Sequence, residues 1–183
     1  MNGDGFIDGA DQWRIGKNSF PRGNYGIYAN LSYKGFSANI LFQGATSRDM
    51  YIEDVVRGQS TGGYSVVYPY QLDYWMPDNR DALYPRIALN SNVNGNNNYV
   101  QSDFLLVNGR YIRLKSLQVG YDFRTVLLKN VKWLYKCQVM LSGQNLFTIS
   151  PATKYGFDPE NGSTNNYDYP MQRVYSISLN LGF

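Results

Sequence analysis

Near the amino terminus, Asn2, Asp4, Asp8 and Asp11 stand at the spacing of an oxygen-ligand loop, and their chemistry would be calcium binding. The run Asn2-x-Asp4-Gly5-x-Ile7-Asp8-x-x-Asp11 fits positions 3, 5, 6, 8, 9 and 12 of an EF-hand-type loop, in which hard oxygen donors converge around a turn that glycine permits. Two features weaken the fit. The first ligand would precede Met1, and the last is Asp11 rather than a bidentate Glu. The expectation is no cofactor in the chain as it stands, with calcium held by these residues in a longer parent; the alternative is an Asx-rich surface turn.

A second pair of carboxylates, Asp158 and Glu160, is separated by Pro159 alone. Acid/base work needs two environments that drive the two groups apart in pKa and a shaped cleft around them, whereas this pair lies in a Gly- and Asn-rich stretch. It reads as a loop turn. Histidine is absent and Cys137 is the single cysteine, so the usual general base, most zinc and haem sites and any internal disulfide are excluded. No catalytic constellation emerges, and the chain reads as a non-enzyme. The net charge of +3 is scattered, with no basic cluster to track phosphate, so nucleic acid is not an expected partner.

The richest chemistry is aromatic: 17 Tyr, 9 Phe and 3 Trp beside many Gly and Asn. Tyr64, Tyr68, Tyr70, Tyr74 and Trp75 crowd one stretch, where exposed rings could stack on sugars or fill a protein interface; packing within the loop, or a girdle at a membrane surface, would use the same residues.

These groups must be carried by strands. From Val174 to Phe183 side chains alternate, with Tyr175, Ile177, Leu179, Leu181 and Phe183 on one face and Ser176, Ser178, Asn180 and Gly182 on the other. The same period predicts strands near 24–33, 36–44, 110–123 and 133–147, before a last strand at 173–183. Lys34-Gly35 is a turn pair between the first two. In the third strand the phase breaks near Leu114, which predicts a bulge there. Cys137 falls on the apolar face of the fourth and reads as a small inert hydrophobe.

Connections are short after Tyr33 and Phe123 but long over 45–108 and 150–173, so short turns fall at one end and long loops at the other. An up-and-down membrane barrel has this asymmetry, with a lipid-facing apolar band between aromatic girdles; a soluble β-sandwich binding glycan through its loops is the alternative. No run approaches the roughly 18 apolar residues of a membrane helix, so a membrane reading rests on strands. Met1-Asn2-Gly3-Asp4 has neither the charged nor the apolar region of a secretory signal. Either the chain is not exported or Met1 begins a fragment. Five strands cannot close a transmembrane barrel, since known ones begin at about eight, so the sequence reads as part of one.

Seven stretches stand out along the chain: Asn2-Gly3-Asp4-Gly5-Phe6-Ile7-Asp8; Tyr33-Lys34-Gly35-Phe36; Tyr74-Trp75-Met76-Pro77-Asp78-Asn79 with Tyr84-Pro85-Arg86; Tyr111-Ile112-Arg113-Leu114-Lys115; Ser142-Gly143-Gln144-Asn145-Leu146-Phe147; Gly156-Phe157-Asp158-Pro159-Glu160; and Tyr169-Pro170. In this order they resemble the carboxy-terminal end of the SusC/RagA family of TonB-linked outer-membrane receptors. The resemblance implies an all-β fold in which residues 1–183 are antiparallel up-and-down strands of the carboxy-terminal part of a transmembrane barrel of about 22 strands, with long extracellular loops. It further implies location in the cell outer membrane and import of an oligosaccharide or peptide under a SusD-like lipoprotein lid. The implied partners include outer-membrane lipid and the barrel-assembly machinery, the latter reading a signal in Tyr175, Leu179, Leu181 and Phe183. The plug and most strands of such a receptor have no counterpart in these residues.

Overall fold

The computed structural model describes residues 3–5, 9–52, 67, 69–87, 101–161, 169 and 171–183. In chain order its strands are β1 (Asn24–Tyr33), β2 (Phe36–Ala45), β3 (Asp49–Tyr51), β4 (Leu106–Asn108), β5 (Tyr111–Asp122), β6 (Lys136–Ile149) and β7 (Val174–Gly182). The five long ones form a single antiparallel sheet in the order β1-β2-β5-β6-β7, and β3 and β4 pair separately. The five strands therefore lie as the alternation and loop lengths predict, with both long connections leaving from one end. Among the described residues no second sheet covers either face of the large one, as a sandwich would require.

The β1–β2 connection is two residues, Lys34 and Gly35, both at positive φ (44° and 85°). That is the primed turn whose twist matches paired strands. Gly35 is also the tighter constraint, because a Cβ there would lie 2.9 Å from the Asp122 carbonyl oxygen. At the opposite end of the same hairpin Gly44 faces Tyr25, whose ring lies across it so that its hydroxyl donates to the Tyr111 carbonyl at 3.1 Å. One tyrosine thus ties β1 to β5 over the intervening strand.

The register gives the sheet two unlike faces. Ile27↔Phe42, Leu31↔Ala38, Phe36↔Tyr121, Val119↔Leu141, Val139↔Leu179 and Leu141↔Ile177 are directly opposed pairs, and opposed residues share a face. Ile40 joins them through Ala29. This apolar row runs unbroken across all five strands and stands open, with Ile177 75% and Leu179 60% exposed. The other face is polar: Tyr28 donates to Asn39, Asn39 to Gln118, and the Ser37 hydroxyl to the Gly120 carbonyl.

The phase break near Leu114 is a bulge. Lys115 has no partner on either neighbouring strand, and β6 answers with Asn145, at a φ of 53°, and Leu146. The extra residue exchanges faces: Ile112 and Leu114 join the apolar row, while Arg113 turns to the polar side.

Two boundaries differ from the alternation. Trp133 and Tyr135, expected within the fourth long strand, precede it, because they fold back over the end of β7: Trp133 stacks on Phe183 with centroids 5.7 Å apart, and the Tyr135 N–H donates to the Gly182 carbonyl. Phe123, expected to end the third, instead opens a helical turn, α1 (Phe123–Val126), capped by the Asp122 carboxylate on the Arg124 N–H.

The buried apolar core lies among the long loops rather than on the sheet. Met50, Ile52, Tyr84, Leu105 and Val107 of the first loop pack with Ala152 and Phe157 of the second. Ser150, Pro151 and Gly156 start and stop the 3-10 turn Pro151–Tyr155 that presents Ala152 to this cluster. The Tyr84 hydroxyl closes the join on the Tyr155 carbonyl at 2.7 Å.

Candidate functional site

Where the loop core meets the polar face of the sheet, Arg113 is only 1% exposed. Its guanidinium donates through Nε to Thr148 Oγ1 at 2.7 Å and through Nη2 to Asp158 Oδ1 at 2.6 Å, and Nη1 lies 3.1 Å from Glu160 Oε2. The last contact is an ion pair without hydrogen-bond alignment, which leaves Nη1 formally unsatisfied. Lys115, the bulge residue, brings Nζ to 3.1 Å from the same Glu160 oxygen, and the Tyr111 hydroxyl donates to Oε1. Arg48 grips the backbone of the same turn, donating from Nη1 to the Pro159 carbonyl at 2.7 Å.

Asp158 is thus a turn residue, as expected: its Oδ1 accepts from the Glu160 N–H, and its carbonyl from the Asn161 N–H. The same carboxylates also lock the second loop onto the sheet. A buried guanidinium needs such partners, since an unpaired charge at this depth would cost several kcal/mol. Sequence reasoning missed the lock because Arg113 and Asp158 are 45 residues apart. One signal was present: Arg113-x-Lys115 and Asp158-x-Glu160 carry opposite charges at the same spacing.

Asn2 and Asp8 of the calcium loop lie outside the described residues; Asp4 and Asp11 are described, and no cluster of three or more metal-ligating His, Cys, Asp or Glu side chains occurs among the described residues. Tyr64 and Tyr68 of the aromatic stretch also lie outside them, and Tyr70 falls in the 3-10 turn Pro69–Leu72. Tyr74 packs half-buried against the loop core, with the Trp75 N–H bonded to the Tyr84 carbonyl. Trp75 is the outward-facing member of this pair, 41% exposed. Tyr175, Leu179 and Leu181 lie on the open apolar row of the edge strand β7, and Phe183 ends it against Trp133.

A shell of aromatics rims the short-turn end: Phe36 meets Tyr121 edge-on at 5.2 Å, Tyr121 meets Phe123 at 4.9 Å, and Tyr33, Trp133 and Phe183 stand exposed nearby. Phe42 and Phe147 form a like pair toward the loop end. On β7 the apolar row from Tyr175 to Leu181 covers about 20 Å along the strand at the usual rise.

No protein-family model matches the chain. Curated proteins do. TonB-dependent receptor P3 of Formosa agariphila is 27% identical over 194 residues, covering 100% of this chain and 18% of the receptor. TonB-dependent receptor P39 of the same organism is 27% identical over 197 residues, with the same coverage. The chain thus spans about a fifth of the length of the relatives it matches. Among solved structures, the RagAB peptide transporter superposes with a TM-score of 0.67 at 23% identity, over 97% of this chain and 19% of that one. The RagAB peptide importer in its 'open-open' state gives 0.62 at 26% identity, over 93% and 18%.

The five-stranded sheet superposes on part of that larger chain, and its two edge strands, β1 and β7, are unpaired on their outer sides among the described residues. The receptors it matches are outer-membrane proteins, and a sheet apolar on one side and polar on the other is built for that setting. Over its whole length the chain is similar to a segment of an outer-membrane TonB-dependent receptor of the SusC/RagA kind.

Proposed function

We propose that residues 1–183 are the carboxy-terminal segment of the barrel of a TonB-dependent nutrient importer, contributing wall strands and extracellular loops and no catalysis of their own. The observation that carries this reading is the single-layer sheet with its open apolar row outward, its hydrogen-bonded polar row inward and both long loops fastened together at one end. In this setting β1 and β7 pair with further barrel strands. The Arg113 lock holds the second loop at the mouth, and the first loop, with Trp75 outward, meets a SusD-like lipoprotein lid.

The cargo is an oligosaccharide or a peptide. The RagAB structures are those of a peptide transporter, which supports the peptide. The test is paired. The receptor should copurify from outer membranes with a SusD-like lipoprotein, and its loss should abolish growth on peptide as sole nitrogen source while growth on free amino acids continues. Unimpaired peptide growth with a lost polysaccharide phenotype would move the cargo to oligosaccharide, and a protein that folds as a monomer in buffer without detergent would overturn the membrane role.

A further inference from the structure

A cavity of about 710 Å³ lies at the loop end of the sheet, and its lining includes Lys17, Arg110 and Lys154. All three are exposed, and no carboxylate is among the described residues that line the cavity. They come from three separate segments: the stretch before β1, the residue before β5 and the 3-10 turn after β6. Asp49 accepts the Lys17 backbone N–H. Tyr25, Ile112 and Ile149, which by register belong to the outward apolar row, line the cavity together with Ala45 and Tyr111 of the polar row. Ile112 is there because the Lys115 bulge exchanges faces above Leu114.

We propose that this cavity holds the phosphate-bearing headgroup of an outer-leaflet lipid. Long loops mark the extracellular end of such a barrel, so the three cations stand where the lipid-facing band meets the outer leaflet's headgroups. Charge and surface agree on the occupant. Three cations from separate segments offer a phosphate several donors at once, and the apolar residues beside them continue into the surface that acyl chains cover. A soluble nutrient would find its cations on the polar face, where Arg113 and Lys115 are already engaged by Asp158 and Glu160.

The experiment is native mass spectrometry of the intact protein, extracted from outer membranes in mild detergent and titrated with lipid A, dephosphorylated lipid A or inorganic phosphate. Phosphorylated lipid A should bind at one site, with dephosphorylated lipid A at least tenfold weaker. Each removed cation should weaken binding about fivefold, so the combined K17Q, R110Q and K154Q variant should lose roughly a hundredfold. The charge-keeping variant K17R, R110K and K154R should bind within a few fold of the original. K129Q with K132Q, in the short connection at the other end of the sheet, should change nothing. Heat-modifiable migration confirms that each variant is assembled, and Lys154→Gln alone keeps the test decisive where the triple variant does not assemble. Equal lipid retention by the glutamine variants would overturn the proposal. Inorganic phosphate binding as tightly as lipid A would make this a free-anion site and overturn the lipid assignment.

Discussion

At the residue scale, the side chain on which most depends is Arg113, and its role could not be read from its neighbours in sequence. Its parity with Leu117, Val119 and Tyr121 would place it on the lipid-facing row, and the bulge at Lys115 reverses that placement. The phase break near Leu114 was legible, because apolar residues change parity there. The partners were not, since no local pattern links a strand to carboxylates 45 residues on. Removing the guanidinium leaves Asp158 and Glu160 facing each other without it. Arg113→Ala should destabilise the loop join by about 3 kcal/mol, and Lys in its place should recover little, because one ammonium cannot reach Thr148 and both carboxylates as the planar fork does. Hydrogen exchange over 150–161 is the measurement: faster exchange with the sheet strands unchanged is expected, and unchanged exchange would show that Arg48 and the apolar contacts hold the turn without Arg113.

Calcium is also decided by single residues. With an Asp placed immediately ahead of Met1, the loop through Asn2, Asp4, Asp8 and Asp11 should gain a calcium site, because a ligand at the first position supplies both charge and geometry. Calorimetry on chains with and without that Asp should show binding in the first that Asp8→Ala removes. Negligible binding by both would leave the segment as a turn.

At the element scale, the strands were the most legible feature of the chain. Period-two alternation in β1, β2 and β7 is enforced by one apolar and one polar surroundings, so faces and pairing follow from the sequence. Where aromatics fold over a strand end, as Trp133 and Tyr135 do, alternation continues past the last ladder bond and the boundary is misread. The faces make a paired prediction. Leu179→Arg, if near the bilayer midplane, should cost roughly 2–4 kcal/mol of barrel stability, while Ser178→Arg on the adjoining polar face should cost far less. Urea titration of the refolded barrel in lipid measures both, and equal costs would mean that the faces are wrongly assigned.

The Phe183–Trp133 stack sharpens the question of the terminal aromatic. If the end of β7 is read by the assembly machinery as an edge to be paired, deleting Phe183 should lower the amount of heat-modifiable barrel in the outer membrane, whereas Trp133→Ala, which removes only the stacking partner, should not. Matching losses from both variants would reduce Phe183 to a packing residue of the aromatic rim.

At the scale of the whole molecule, the account holds that the five strands are a piece of membrane wall. The loop asymmetry and the alternation made that legible before any coordinates. What they could not convey is that the buried core would form between the loops, from Met50, Ile52, Tyr84, Leu105, Val107, Ala152 and Phe157, since those residues follow no strand or helix period. Nor could they show that the aromatic stretch would divide, with Tyr74 packed inward and Trp75 outward. The most direct test of the wall is the environment of alternate residues on β7. Cys137 is replaced by Ala and single cysteines are introduced in turn at positions 176 to 181 of the membrane-assembled protein. Spin labels there are exposed to oxygen, which partitions into lipid, and to a water-soluble nickel chelate. The account predicts that oxygen relaxes labels at 177, 179 and 181 most strongly and the chelate those at 176, 178 and 180; chelate access at 177 and 179, or protection of both sets alike, would contradict it.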